Sequence, residues 1–118
     1  MKILFVDDNE LNRIVLNDML EILFPEIQIN TFDSPEEVLE SDIHSYDVIL
    51  SDIDMPKMDG YELHNILREK HNFKKPIIAV TALAISGDRE KMLMHGFDDY
   101  ISKPIDISNL EATIQKYI

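Results

Sequence analysis

Residues 46–63 read YDVILSDIDMPKMDGYEL, and the reading of this stretch decides the fold. Val48, Ile49 and Leu50 form an apolar, β-branched-rich run, the pattern of a strand buried on both faces. The run stops at Ser51 and Asp52. A proline, an Asp-Gly pair and the helical spacing of Tyr61, Leu63, Ile66 and Leu67 follow. Strand, loop and helix then succeed one another, with the Asp52 carboxylate at the C-terminal end of a buried strand. In open parallel sheets that edge is where ligands and chemistry collect.

Working outward, residues 3–6 form a second buried run that also stops at acids, Asp7 and Asp8. Helical spacing of Leu11, Ile14, Val15, Met19, Leu20 and Leu23 follows, with Asp8 or Asn9 as cap and Pro25 marking the end. Residues 27–32 alternate polar and apolar, as a half-exposed edge strand does. Ser34-Pro35-Glu36-Glu37 predicts a capped short helix running to about Ser41. After the helix expected over residues 60–71 comes a third buried run at 76–80, ending at Thr81 and Ala82. A helix is predicted over 86–95 with Gly96 as its stop, then a short strand at 99–102 ending at Lys103-Pro104, then a last helix from about Ile107.

Five strands alternating with five helices predict a single α/β domain over residues 1–118, a (βα)5 doubly wound parallel sheet. The alternating run and the short charged run belong at the edges, so the expected strand order is 2-1-3-4-5. That order puts the topological switch point between the strands carrying Asp7-Asp8 and Asp52.

With 118 residues the chain can bury about two-thirds of its unfolded surface. It has no cysteine, so disulfides and thiolate metal sites are excluded, and a reducing cytoplasm is the expected location. No apolar run approaches the roughly 18 residues of a membrane span. The net charge of −12 argues against direct nucleic-acid binding, which needs a basic face. The four histidines show no ligand pattern and read as surface, and the six methionines as core filler.

The sheet brings Asp7, Asp8, Asp52, Thr81 and Lys103 to one edge. Two carboxylates about 4 Å apart repel by roughly 4 kcal/mol at an effective dielectric near 20, and three need a cation among them. An all-oxygen ligand set with room for water suits Mg2+. Lys103, the Thr81 hydroxyl and the Ala82 backbone N–H can receive phosphoryl oxygens. With Asp52 as nucleophile, the chemistry points to phosphoryl transfer onto a carboxylate.

Val6-Asp7-Asp8-Asn9, the run from Asp52 to Gly60, Thr81-Ala82 and Lys103-Pro104 together resemble the signature set of response-regulator receiver domains. The resemblance runs over essentially the whole chain and is nearest, through Asn9 to Arg13 and Gly87 to Arg89, to receivers of hybrid kinases and multistep phosphorelays. It implies two-component signalling, with Asp52 as phosphoacceptor, Asp8 as a direct Mg2+ ligand and Asp7 mainly through water, and Asp54 giving its backbone carbonyl to the metal. Thr81, Ala82 and Lys103 would hold the phosphoryl group, and Thr81 and Tyr100 would form the switch that alters the face made by residues 86–118. It further implies a cis Lys103–Pro104 peptide, and a histidine kinase or histidine phosphotransfer protein as partner. The chain would be a monomer or a weak phosphorylation-dependent dimer, acting as a signalling module rather than an enzyme. Asp54 and Leu83, each two residues past a site residue, are expected to flank the path of attacking water, with Leu83 dominating and slowing hydrolysis. The alternative is a small phosphohydrolase using Asp52-Ile53-Asp54 as a DxD motif, though such enzymes carry a cap region for which this chain has no room. Flavin binding lacks a Gly-rich phosphate loop after the first strand.

Overall fold

The computed structural model describes residues 1–82 and 86–118. In chain order its elements are β1 (Lys2–Val6), α1 (Glu10–Leu23), β2 (Gln28–Phe32), α2 (Pro35–Glu40), a short 3-10 helix (Ile43–Ser45), β3 (Val48–Asp52), α3 (Gly60–Glu69), β4 (Ile77–Thr81), α4 (Ser86–His95), β5 (Asp99–Ser102) and α5 (Ile107–Gln115). The strands pair in parallel in the order β2-β1-β3-β4-β5, as predicted. Every residue of β3 and of β4 is buried, whereas β2 is half-exposed along its length and β5 buries only Ile101. Apolar runs therefore sit centrally and the mixed ones at the edges, because only a doubly covered strand can bury both alternating sets of side chains.

Alternation splits the core into two layers. Ile3, Phe5, Leu50, Val80 and Ile101 face Leu16 and Leu20 of α1 and Leu110 and Ile114 of α5. Leu4, Val6, Ile49, Ile77 and Ala79 face Val38, Leu63, Leu67 and Met92 on the other side. Helix starts follow the sequence signals: Asn9, Ser34 and Asp59 each accept from the backbone N–H three residues on. Gly96 ends α4 with φ at 121°, a conformation open to glycine at no steric cost.

Three expectations are corrected. Helix α3 stops at Glu69 rather than His71, because Arg68 Nη1 reaches past its end to the carbonyls of Phe73 and Lys75, each at 2.7 Å, and Asn72 turns the chain with φ at 55°. The histidines are not all surface: His64 is buried and His95 half-buried. The methionines divide, with Met92 in the core and Met94 88% exposed on α4. Among the described residues no helix is long and apolar enough to cross a membrane.

Candidate phosphoacceptor site

The C-terminal ends of β1, β3, β4 and β5 open on one cleft. Asp7, Asp8, Asn9, Asn12, Asp52, Asp54, Thr81, Ala82 and Lys103 line it. All seven residues expected to handle metal or phosphoryl group are therefore brought together, and Tyr100 stands nearby on β5. Asn12 was missed by sequence reasoning; it is one helical turn past the Asn9 cap, so the spacing alone could have placed it at the rim.

Parallel register explains the convergence. Val6 pairs with Ser51, Asp52 with Val80, and Thr81 with Ser102, so each strand ends within one residue of its neighbour. Asp7 and Asp52 are buried while Asp8 and Asp54 face solvent. Carboxylate oxygens of Asp7, Asp8 and Asp52 lie within 4.8 Å of one another. Lys103 Nζ sits 2.9 Å from Asp7 Oδ2 and 3.0 Å from Asp52 Oδ1. The contact to Asp7 is an ion pair off the hydrogen-bonding direction, which leaves that buried oxygen without a hydrogen bond. Asp52 Oδ1 also accepts from the backbone N–H of Asp54 at 3.4 Å, and Asp7 Oδ1 from that of Asn9 at 2.9 Å.

One ammonium does not balance this cluster. Burial first, then the Asp7 charge, pushes the Asp52 carboxyl up to about 6 despite Lys103. Lys103 itself is held above its ordinary value: burial works to lower it, and Asp7 and Asp52 together outweigh burial. Both shifts describe a site with more negative charge than its own cation can offset. The donor set is all oxygen, partly exposed and already converged, which fits a hard divalent cation such as Mg2+.

The Lys103–Pro104 peptide is cis, as expected, and the Lys103 backbone N–H donates to the Thr81 carbonyl at 2.9 Å. Thr81 is buried. Ala79 pairs with Tyr100 and Thr81 with Ser102, so Thr81 and Tyr100 project from the same side of adjacent strands. The Tyr100 ring packs against the core layer of Leu63 and Phe97, with the Arg89 guanidinium 5.3 Å from its centre. Leu83, expected beside the water path, lies outside the described residues.

Comparison with known proteins agrees with this geometry. The family model described as the response regulator receiver domain matches residues 3–115. The hybrid signal transduction histidine kinase G of Dictyostelium discoideum is 37% identical over 123 residues, covering 99% of this chain but only 4% of the kinase. The polar-differentiation response regulator DivK of Brucella ovis is 36% identical over 117 residues, covering 98% of this chain and 94% of DivK. Among solved structures, the receiver domain of the sensor histidine kinase PA1611 from Pseudomonas aeruginosa superimposes with a TM-score of 0.83 at 34% identity, covering 98% of this chain and 95% of that one. That structure carries a magnesium ion coordinated in its active-site cleft.

Proposed function

Since the chain belongs to the response regulator receiver domain family of two-component systems, we propose that it accepts a phosphoryl group on Asp52 from a phosphohistidine donor, with Mg2+ as cofactor. One observation carries the assignment of Asp52. It is the buried carboxylate that shares an ammonium with Asp7 while its other side opens to the cleft. Oδ of Asp52 attacks phosphorus, and the P–N bond breaks with its electron pair returning to the donor imidazole, which picks up a proton. Lys103 then exchanges its two carboxylate partners for a phosphoryl oxygen. The Thr81 hydroxyl and the Ala82 N–H serve the remaining oxygens.

Asp7, Asp8, Asp52 and the Asp54 backbone carbonyl would hold the cation. Mg2+ supplies charge neutralisation for carboxylates and phosphoryl oxygens alike. Movement of Thr81 toward the new oxygens vacates space that Tyr100 fills by turning inward, which reshapes the surface of α4, β5 and α5. The donor is a histidine kinase or a histidine phosphotransfer protein. The domain works in the cytoplasm as a monomer or weak phosphorylation-dependent dimer, has no direct nucleic-acid partner, and turns over only its own phosphoryl group. The DxD phosphohydrolase reading has no support: the family model that matches residues 3–115 is that of the receiver domain.

The test is phosphorylation by acetyl phosphate with and without Mg2+. Wild type should take up about one hydroxylamine-labile phosphoryl group per chain only when Mg2+ is present, and Asp52→Asn should take up none. Labelling of Asp52→Asn at the wild-type level would end the assignment.

A further inference from the structure

Arg13 stands on the first turn of α1, outside the set of residues that meets metal or phosphoryl group. Its guanidinium nevertheless turns back across the end of β1, and Nη1 donates to the backbone carbonyl of Asp7 at 2.7 Å. The rest of Asp7 is also held. Its N–H donates to the Phe32 carbonyl at 3.1 Å, its Oδ1 accepts from Asn9, and its Oδ2 faces Lys103. Asp8 has no comparable support: it is exposed, and its side chain meets no hydrogen-bond or ion-pair partner among the described residues.

The peptide between Asp7 and Asp8 is a rigid plane, so fixing its oxygen fixes the direction in which the Asp8 Cα leaves β1. We propose that Arg13 is a positioning residue for the metal site, pinning the Asp7–Asp8 peptide so that the Asp8 carboxylate is presented to the cation. This rests on the metal-dependent reading of the cleft given above. A planar guanidinium suits the task better than an ammonium. It is more weakly hydrated, and its preorganised fork loses less freedom per hydrogen bond formed. Arg13 is half-buried and lines a groove between α1 and β2 with Glu10, Asn17 and Thr31. Residues that orient metal ligands from behind typically contribute 10- to 100-fold in metal affinity.

The experiment is calorimetric titration of Mg2+ into wild type, Arg13→Gln, Arg13→Lys and Asp8→Asn, at low and at about 0.5 M salt, beside melting of each in EDTA. Arg13→Gln should bind Mg2+ about ten-fold more weakly, and the ratio to wild type should persist at high salt. Arg13→Lys, which returns a donor able to reach the same carbonyl, should recover affinity to within about three-fold of wild type. Equal affinity in Arg13→Gln and wild type overturns the proposal. So does a deficit that disappears at high salt, which would mark through-space charge, or one that Lys does not relieve at all. Should Arg13→Gln fail to fold in EDTA, Arg13→Met takes its place: binding about ten-fold weaker that persists at high salt supports the pin, and wild-type affinity overturns it. Absence of Mg2+ binding by wild type would instead overturn the metal reading itself, and this inference with it.

Discussion

Gly60 is pressed against the carbonyl oxygen of Asp52: a Cβ on residue 60 would stand 2.5 Å from that oxygen and 2.8 Å from the Cα of Ile53. The Gly60 N–H donates to the Ile53 carbonyl at 2.8 Å, so the first residue of α3 is seated directly on the end of β3. The loop carrying Asp54 is closed by this contact. Both clashing atoms are backbone, so a larger side chain must push the strand end that bears Asp52.

Gly60→Ala should therefore destabilise the domain by about 1–3 kcal/mol, the usual cost of overpacking, even though alanine is the better helix former. Denaturant melts measure this through the midpoint. A midpoint equal to or above that of wild type would show that the strand end gives way freely. The phosphorylation rate of the variant should fall along with stability, because Asp52 moves with its carbonyl.

Removal of charge from the cleft should stabilise the metal-free protein. The folded-state carboxyl of Asp52 lies at about 6, above the ordinary value of 3.8. An acid whose pKa is raised by folding holds its proton more tightly in the folded state. Its ionisation costs stability at neutral pH, and the cost is relieved as pH falls from about 6 toward 3.8. Asp52→Asn should gain about 1–3 kcal/mol at pH 7.5 in EDTA. It should also gain less from saturating Mg2+ than wild type does. A variant less stable than wild type in EDTA would mean that Lys103 neutralises the pair after all.

The strands and the site were legible because both rest on local pattern. Buried runs followed by acids gave β1 and β3, and mixed runs gave the two edges. Parallel register then aligned the ends without further information. What escaped depends on distant packing. Nothing local to the Asp59-Gly60 pair shows that Gly60 is required by the backbone of Ile53. His64 occupies α3 one position after Leu63, where helical spacing alone does not reveal that α4 and Phe97 cover it. Met94 on α4 is apolar and solvent-facing, a choice that burial cannot explain.

His64 carries a pH dependence of its own. It is buried against Phe97, ring centres 4.6 Å apart, and against His95 at 5.0 Å. Among the described residues neither ring nitrogen meets a partner at hydrogen-bonding geometry. Burial lowers its pKa; Arg68 and His95 push the same way, and the Gly96 backbone and Asp98 oppose them. A lowered folded-state pKa means that the unfolded chain takes the proton first, near the ordinary 6.5. Stability is then full above about pH 7 and declines as pH falls through 6.5 toward the folded value. Asp52 acts in the opposite sense, so the measurement belongs in the Asp52→Asn background. There, melts between pH 7.5 and 5 should show a loss that His64→Phe reduces. Identical pH profiles with and without His64 would place the titrating group elsewhere.

Asp54 should set how the cleft exchanges small anions and water. It is exposed, its backbone N–H reaches toward Asp52 Oδ1, and its side chain stands at the mouth of a cleft that already carries three carboxylates. A further negative charge there repels acetyl phosphate. At an exposed mouth that repulsion is screened to about 1 kcal/mol or less, a factor of several in rate. Asp54→Ala should load from acetyl phosphate about three-fold faster at low ionic strength, and the advantage should shrink at 0.5 M salt. The same carboxylate can accept a hydrogen bond from water attacking the phosphoryl group, so its removal should slow dephosphorylation by a factor of several. The two effects separate in a single experiment that loads the protein, strips the donor and follows the decay. Faster loading with unchanged decay would leave Asp54 as an electrostatic gate only, with water oriented by another group. Equal loading at low salt would show that the carboxylate turns away from the mouth.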